Sequence, residues 1–287
     1  MPELPEVEAL RRFLDARCRG LFVARAELVA FACLKTAGLP LTALGGLEVE
    51  ATARRGKFLG LRIGGLWLVT HLARAGWLTW RDVMPSAPAR PGRGPLAFRL
   101  VLQDGQGFDL TEAGTRKRLA VYLVDELADV PGVATLGPEP LDDAFTPAVL
   151  DGILDGAGGA QVKGVLRDQH NIAGIGNAYS DEILWAARLS PFAACGRLDA
   201  ASRDGLFAAI HDVLSDAVAR AVGTDAAHLK AEKKGGLNVH GRAGEPCVRC
   251  GTSIAQVSFA DSSLEYCPTC QTGGKVLADR RLSRLLK

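Results

Sequence analysis

The sequence predicts an α+β protein, with an N-terminal helix plus a β-rich domain, sandwich or barrel, and then a C-terminal helical domain. Three observations lead there. Apolar residues alternate or run continuously in the first part of the chain and recur at helical spacing in the second. Between the two parts, Val130 to Pro140 holds three prolines and two glycines, the composition of a domain boundary. Finally, four of the seven cysteines are gathered as two close pairs near the C-terminus, where the chain turns short and Gly-rich.

From Glu6 to Arg17 the apolar residues Val7, Leu10, Phe13 and Leu14 fall on one face of a helix. Residues 20–33, 47–53, 58–70 and 96–110 are rich in Val, Leu, Ile and Phe and are interrupted by Gly45-Gly46 and Gly64-Gly65, which reads as antiparallel strands. By pattern alone these build a sandwich or a barrel. Pro85 to Pro95, with four prolines in eleven residues, is a loop. Beyond the boundary, residues 147–155, 162–169, 177–188 and 202–222 carry the i, i+3, i+4 recurrence of helices, and Asp225 to Gly236 is a short basic segment. The division expected is 1–129 for the β-rich domain, 141–236 for the helical domain and 237–287 for a small terminal module.

At 287 residues, with 48% hydrophobic and 23% charged content, the chain is long enough for a buried core and for two domains. No run of about 18 uncharged apolar residues is present. The start, with Glu3, Glu6 and Glu8, lacks the basic-then-apolar build of a secretory leader. A cytoplasmic protein without membrane partners is expected. The net charge of +2 does not announce a nucleic-acid binder, so a basic footprint depends on distribution. Clusters occur at Arg54, Arg55 and Lys57; at Arg116, Lys117 and Arg118; at Lys230, Lys233 and Lys234; and at Lys275, Arg280, Arg281, Arg284 and Lys287. Each alone is first a solvated surface, and only a shared face makes it a phosphate site.

Cys18, Cys33 and Cys195 are isolated, whereas Cys247-x2-Cys250 and Cys267-x2-Cys270 are separated by sixteen residues, enough for one β-hairpin. In a cytoplasmic chain this pattern favours a metal over disulfides. Two short hooks supply four thiolates at tetrahedral angles, and a closed four-sulfur shell implies one structural Zn2+ rather than a catalytic one.

Three further motifs carry chemistry. Met1-Pro-Glu-Leu-Pro-Glu-Val-Glu8 puts a proline directly after the initiator. Removal of Met1 leaves Pro2 with a free secondary amine of the α-amino type, which titrates near neutrality and is partly nucleophilic. The plainer reading is a helix lead-in, with Pro5 in the first turn and acids favoured by the dipole. Arg54-Arg55-Gly56-Lys57 is a turn between two strand-like runs that projects a lysine. Gly174-Ile-Gly-Asn-Ala-Tyr-Ser-Asp-Glu182 opens a helix after a glycine turn, a form that favours an anionic phosphate.

Taken in order, these motifs resemble the bacterial formamidopyrimidine-DNA glycosylase and endonuclease VIII family over nearly the whole chain. The resemblance implies a β-sandwich, a helix-two-turn-helix and a zinc-finger hairpin. It implies a monomer acting in DNA repair as a bifunctional glycosylase and abasic-site lyase on damaged double-stranded DNA, with the flipped nucleotide bound in a cleft between the β-rich and helical parts. Pro2 matches the nucleophile that attacks the sugar C1′, Glu3 the adjacent acid/base, and Lys57 a phosphate-contacting lysine with a proton-transfer role. Lys163 and Asn177 match residues that grip the DNA backbone, and Lys117 is expected to join them.

The chain departs from the family at the surface that handles the lesion. The family arginine on the zinc hairpin is replaced by Ser262, with Asp261 and Glu265 nearby, and no Lys or Arg occurs from Gly251 to Tyr266. That substitution removes a charge-assisted phosphate contact and adds repulsion. In His71-Leu-Ala-Arg-Ala-Gly76, Arg74 stands where a methionine usually fills the gap left by the everted base; an arginine can stack on bases or pair with phosphate. No histidine lies between His71 and His170, so a further DNA-contacting residue is missing. The rival reading is a damaged-DNA or abasic-site binding protein of the same fold with weak or no excision. A zinc-ribbon interaction protein without a DNA role is the remoter alternative.

Overall fold

The structure is a computed structural model that describes residues 1–90, 92, 94–259 and 262–278. Asp261 and the basic tail Arg280, Arg281, Arg284 and Lys287 lie outside the described residues. The chain forms two compact units, one of Met1–Leu136 with Arg220–Lys230, the other of Gly137–Ala219 with the chain from Ala231 onward.

The first unit opens with α1 (Leu4–Cys18), whose buried Leu4, Val7, Leu10, Leu14 and Cys18 follow the helical period. Eight strands follow: β1 (Val23–Leu28), β2 (Val49–Arg55), β3 (Phe58–Ile63), β4 (Leu66–His71), β5 (Gly76–Arg81), β6 (Leu96–Leu102), β7 (Gly107–Glu112) and β8 (Ala120–Val124). They pair antiparallel in two four-stranded sheets, β1-β6-β7-β5 and β2-β3-β4-β8. Leu61 and Leu68 of one sheet share a core with Phe98, Leu100 and Phe108 of the other and with Leu10 and Leu14 of α1, which makes the pair a sandwich. The alternation along β4 is visible in its packing. Leu68 faces that core, whereas Val69 faces a smaller cluster with Val124, Val130 and Val133 on the far side of the sheet.

Residues 31–33, expected as strand, form a short 3-10 turn instead, while β5 and β8 arise where no strand was expected. The proline-rich stretch 85–95 contains neither helix nor strand among its described residues. A single turn, α2 (Pro131–Ala134), follows the sandwich.

The second unit holds α3 (Pro147–Ala157), α4 (Val162–Arg167), α5 (Asn177–Ala186) and most of α6 (Ala200–Ala221) around Leu150, Leu154, Leu166, Ile183, Leu206 and Ile210. The short basic segment is itself helical, as α7 (Leu229–Gly236). The chain then makes the hairpin β9 (Ala255–Ser258) and β10 (Ser263–Tyr266) and a last turn, α8 (Pro268–Thr272). No helix among the described residues is long and apolar enough to cross a membrane.

Candidate functional site

In the first unit, Glu3 is the N-cap of α1. Its backbone N–H donates to Glu6 Oε2 at 2.8 Å, so the acidic residue three positions on satisfies a helix-start donor. Pro2 is buried and Glu3 is only 2% exposed. The start of α1 is thereby held as a rigid, desolvated corner rather than a fraying terminus.

The turn bearing Lys57 is a two-residue hairpin between the paired Arg55 and Phe58. Gly56 takes a φ of +54°, which glycine adopts without the Cβ penalty and which suits the first central position of such a hairpin. Lys57 is 8% exposed, so it is built into the site rather than solvated. Arg54 ties this turn to α1: its Nε donates to Glu8 Oε2 at 3.2 Å and its Nη1 to the Gly56 carbonyl at 3.1 Å. Thr52 Oγ1 adds a donation to Asp15 Oδ1 at 2.9 Å. Burial raises the Glu8 carboxyl, but the hydrogen bonds of Arg11 and Arg12 and the charges of Arg11 and Arg54 outweigh it and bring it down to about 2. Glu8 therefore stays anionic and the clamp stays closed.

His71 joins this group without having been expected there. It ends β4 directly opposite Phe58, with the two rings 4.8 Å apart. Burial, with the Lys57 charge beside it, lowers the imidazole to about 4, so it is neutral near pH 7. The signal was in the sequence, in the motif that also carries Arg74, but only the β3–β4 register puts its side chain near the lysine turn.

After β4 the chain makes a tight loop. Ala73 has a φ of +51°, and a Cβ on Gly76 would lie 2.1 Å from the Leu72 carbonyl oxygen, whose acceptance of the Gly76 N–H closes the loop. Arg74 sits exposed at its tip. Left-handed backbone at a non-glycine residue is strain, and here it aims one cation outward. Lys117 lies on the exposed loop between β7 and β8, and its ammonium donates to the Glu112 carbonyl. Lys230 lies over the Trp77 ring at 4.5 Å.

In the second unit, Lys163 is 5% exposed. Its ammonium donates to the Asn177 carbonyl (3.3 Å), Ser180 Oγ (2.8 Å) and Asp181 Oδ1 (2.5 Å). It braces the start of α5 from inside. One Nδ2 hydrogen of Asn177 goes to the Ser263 carbonyl of the hairpin at 2.7 Å. Lys233 lies over the Tyr179 ring at 4.6 Å. The carbonyl of Ser262 accepts the Phe259 N–H at 2.8 Å within the hairpin turn. Glu265 does not add the repulsion expected of it. It is 2% exposed, and its carboxylate is answered by His240, Ser263 and Gln256.

The sulfurs of Cys247, Cys250, Cys267 and Cys270 lie within 4.8 Å of one another. Two of the separations are 4.0 and 3.4 Å, on either side of the roughly 3.8 Å edge of a tetrahedron with zinc–sulfur bonds of about 2.3 Å. Gly251 N–H donates to the Cys247 carbonyl, closing the first hook, and Cys267 caps α8. The four cysteines fit one structural zinc.

Three family models match the chain in order: the formamidopyrimidine-DNA glycosylase N-terminal domain over residues 1–121, the H2TH domain of the same glycosylase over 136–228, and the zinc finger found in FPG and IleRS over 244–273. A formamidopyrimidine-DNA glycosylase of Symbiobacterium thermophilum is 38% identical over 98% of this chain and 93% of its own. An uncharacterized formamidopyrimidine-DNA glycosylase-like protein of Mycobacterium tuberculosis is 56% identical over its whole length, which covers 56% of this chain. Among solved structures, MutM bound to DNA containing carbocyclic 8-oxo-G has a TM-score of 0.82 at 28% identity, over 94% of this chain and all of that one. Lactococcus lactis Fpg bound to DNA with an abasic site has a TM-score of 0.82 at 28% identity, over 94% of this chain and 99% of that one.

Proposed function

The chain belongs to the formamidopyrimidine-DNA glycosylase family, and we propose that it works in base excision repair as a bifunctional DNA glycosylase and abasic-site lyase acting through its N-terminal proline on damaged double-stranded DNA. The observation that carries this reading is the Arg54 clamp, which through Glu8 joins α1, the helix that Glu3 caps, to the turn that presents Lys57.

In this reading, removal of Met1 exposes the Pro2 amine, whose unprotonated fraction near neutrality attacks C1′ of an everted nucleotide. The bond from C1′ to the ring oxygen or to the base breaks as the new C–N bond forms. Glu3, in its carboxylic acid form, gives its proton to the ring oxygen as the ring opens, and the damaged base departs with the electron pair of its bond to C1′ and takes up the proton that the proline nitrogen loses. The resulting iminium acidifies the C2′ hydrogen. Loss of that proton expels the 3′ phosphate by β-elimination, and water then releases the amine. Lys57 and neutral His71 stand together, the lysine to hold the phosphate beside the lesion and the imidazole to accept or relay a proton. Asn177 presents its second Nδ2 hydrogen to the DNA backbone, while Lys163 supports it from within. Arg74 enters the stack, and Lys117 adds positive field for the phosphates. The zinc holds the hairpin in shape and takes no part in the steps.

One observation favours a second reading, of a damaged-DNA binding protein with weak excision. Ser262 offers no cation where the hairpin would meet the backbone, and its carbonyl serves the turn. Incubation of processed protein with oxidised, alkylated and abasic duplexes separates the two. Base release from an oxidised duplex supports the glycosylase; tight binding with cleavage of the abasic duplex alone supports the rival.

A further inference from the structure

Away from the proline chemistry, four charged side chains form a continuous chain inside the second unit. Lys163 of α4 donates to Asp181 Oδ1 of α5 at 2.5 Å. The other oxygen of Asp181 lies 2.7 Å from His240 Nδ1, and the same nitrogen lies 2.9 Å from Glu265 Oε2 on β10 of the zinc hairpin. Both carboxylates are buried, and the His240 side chain is 24% exposed. The surrounding backbone is fixed to match. Glu182 accepts the N–H groups of Asn238, Val239 and His240, and Glu265 N–H donates to Asp181 at 3.3 Å.

We propose that His240 is a positioning residue for DNA binding: as an imidazolium between Asp181 and Glu265, it fixes the zinc hairpin to the Lys163–Asn177 end of α4 and α5 and keeps that end from presenting a further uncompensated carboxylate to a phosphate. The inference rests on the reading that this end grips DNA.

Charge balance is the core of the argument. Lys163 and protonated His240 supply two positive charges against Asp181 and Glu265, while the third carboxylate, Glu182, is answered by the backbone N–H groups of Asn238, Val239 and His240. Loss of the imidazolium proton leaves one buried carboxylate uncompensated, which is costly in the interior and repels a phosphate nearby. The charged groups facing His240 are Asp181 and Glu182 from α5 and Glu265 from β10, with Lys163 of α4 behind Asp181. Burial opposes the charged imidazole, but its bonds to Asp181 and Glu265 outweigh burial and raise it to about 9. A metal is the other occupant that two carboxylates and an imidazole suggest, since the three ligand atoms lie within 4.8 Å of one another. The Nδ1 contact to Asp181 at 2.7 Å is a hydrogen bond, however, and the one to Glu265 Oε2 at 2.9 Å an ion pair outside hydrogen-bond geometry, and both are shorter than the roughly 3.3 Å that separates two ligands on a tetrahedral zinc. One proton on Nδ1, bonded to Asp181 with its charge facing Glu265, accounts for both.

The test compares the full-length wild type, His240→Gln and the double variant His240→Gln/Glu265→Gln. Metal content is measured for each, with affinity for a duplex containing a tetrahydrofuran abasic analogue from pH 6.5 to 9.5. The wild type is expected to bind steadily near neutrality and to weaken as pH rises through about 9. The single variant is expected to bind about tenfold more weakly at pH 7, the order of one charge-assisted hydrogen bond, and to lack the alkaline step. The double variant, with the wild type's charge balance restored, should recover most of the loss, which a purely steric role of the ring would not allow. Wild-type affinity and pH profile in His240→Gln, or a double variant no better than the single, would overturn the inference. A second metal equivalent present in the wild type and lost with His240 would overturn it too. If the single variant does not fold, the wild-type profile and the double variant decide the matter, and a wild-type profile flat to pH 9.5 overturns it. A wild type that binds none of the duplexes would bring down the DNA-binding reading and this inference together; failure of the variants to differ brings down this inference alone.

Discussion

Arg74 and Ser262, which the resemblance places at family DNA-contact positions, make opposed predictions. If the hairpin lacks a needed cation, Ser262→Arg adds a phosphate contact and steepens the salt dependence of log affinity by about 0.9. It should also raise excision of an oxidised base more than cleavage at a pre-formed abasic site, which has no base to evert. If Arg74 compensates, Ser262→Arg is inert and Arg74→Ala is severely impaired. Both variants, measured on one oxidised and one abasic duplex at several salt concentrations, separate these outcomes. The basic segment is the weaker candidate for compensation, because Lys230 and Lys233 already lie over Trp77 and Tyr179. Among single residues, the sequence made the four cysteines legible because their spacing is local, whereas the roles expected of Pro2, Glu3 and Lys57 rest on the family resemblance. His71 and His240 were not legible. Their partners lie across a strand register or 59 positions away along the chain, and no local pattern announces such a pairing.

At the scale of elements, the clamp between α1 and the β2–β3 turn should matter more for turnover than for binding. Arg54→Ala is expected to lower the rate of abasic-site cleavage by up to about a hundredfold with little change in affinity for an uncleavable duplex, since it misplaces reacting groups without removing a DNA contact. Single-turnover kinetics beside a binding titration measure the split. The loop after β4 makes a stability prediction. Gly76→Ala drives a methyl into the Leu72 carbonyl and should cost about 1–3 kcal/mol, read as a lowered midpoint in denaturant. The helices were legible nearly to their ends, because a repeating apolar face runs for several turns. Strands β5 and β8 escaped notice because they are five or six residues long and flanked by charged loops, and their pairing with β7 and β4 supplies what their own pattern lacks. Likewise α7 read as a basic segment, although Leu229 packs with the core of the first unit.

For the whole molecule, three titrating groups set a pH window. His240 is raised from 6.5 to about 9, so its contribution to stability is complete below about pH 6.5 and is lost as pH rises through about 9. His71 is lowered from 6.5 to about 4, so its contribution holds above about 6.5 and is lost as pH falls through about 4; Glu8, lowered from 4.5 to about 2, follows at still lower pH. The melting temperature is therefore expected to peak near pH 6.5, with His240→Gln flattening the alkaline side. Zinc sets a second condition. One equivalent per chain is expected, and its removal by a chelator should unfold the hairpin and abolish DNA binding. At this scale the order of the β-rich, helical and cysteine-paired segments was legible from changes in apolar period and from the cysteine spacing. The grouping of residues 220–230 with the first unit was not, because it depends on contacts between distant parts of the chain.

The central claim is that the N-terminal proline forms the covalent bond to DNA. It is tested most directly by borohydride trapping of the processed protein on an abasic duplex, followed by mapping of the cross-linked peptide. The expected result is a trapped complex linked through Pro2, absent in Pro2→Gly and in protein that retains Met1, with fold and zinc content unchanged in both. Undiminished trapping in either protein, or a cross-link that maps to Lys57 or another lysine, would contradict the account.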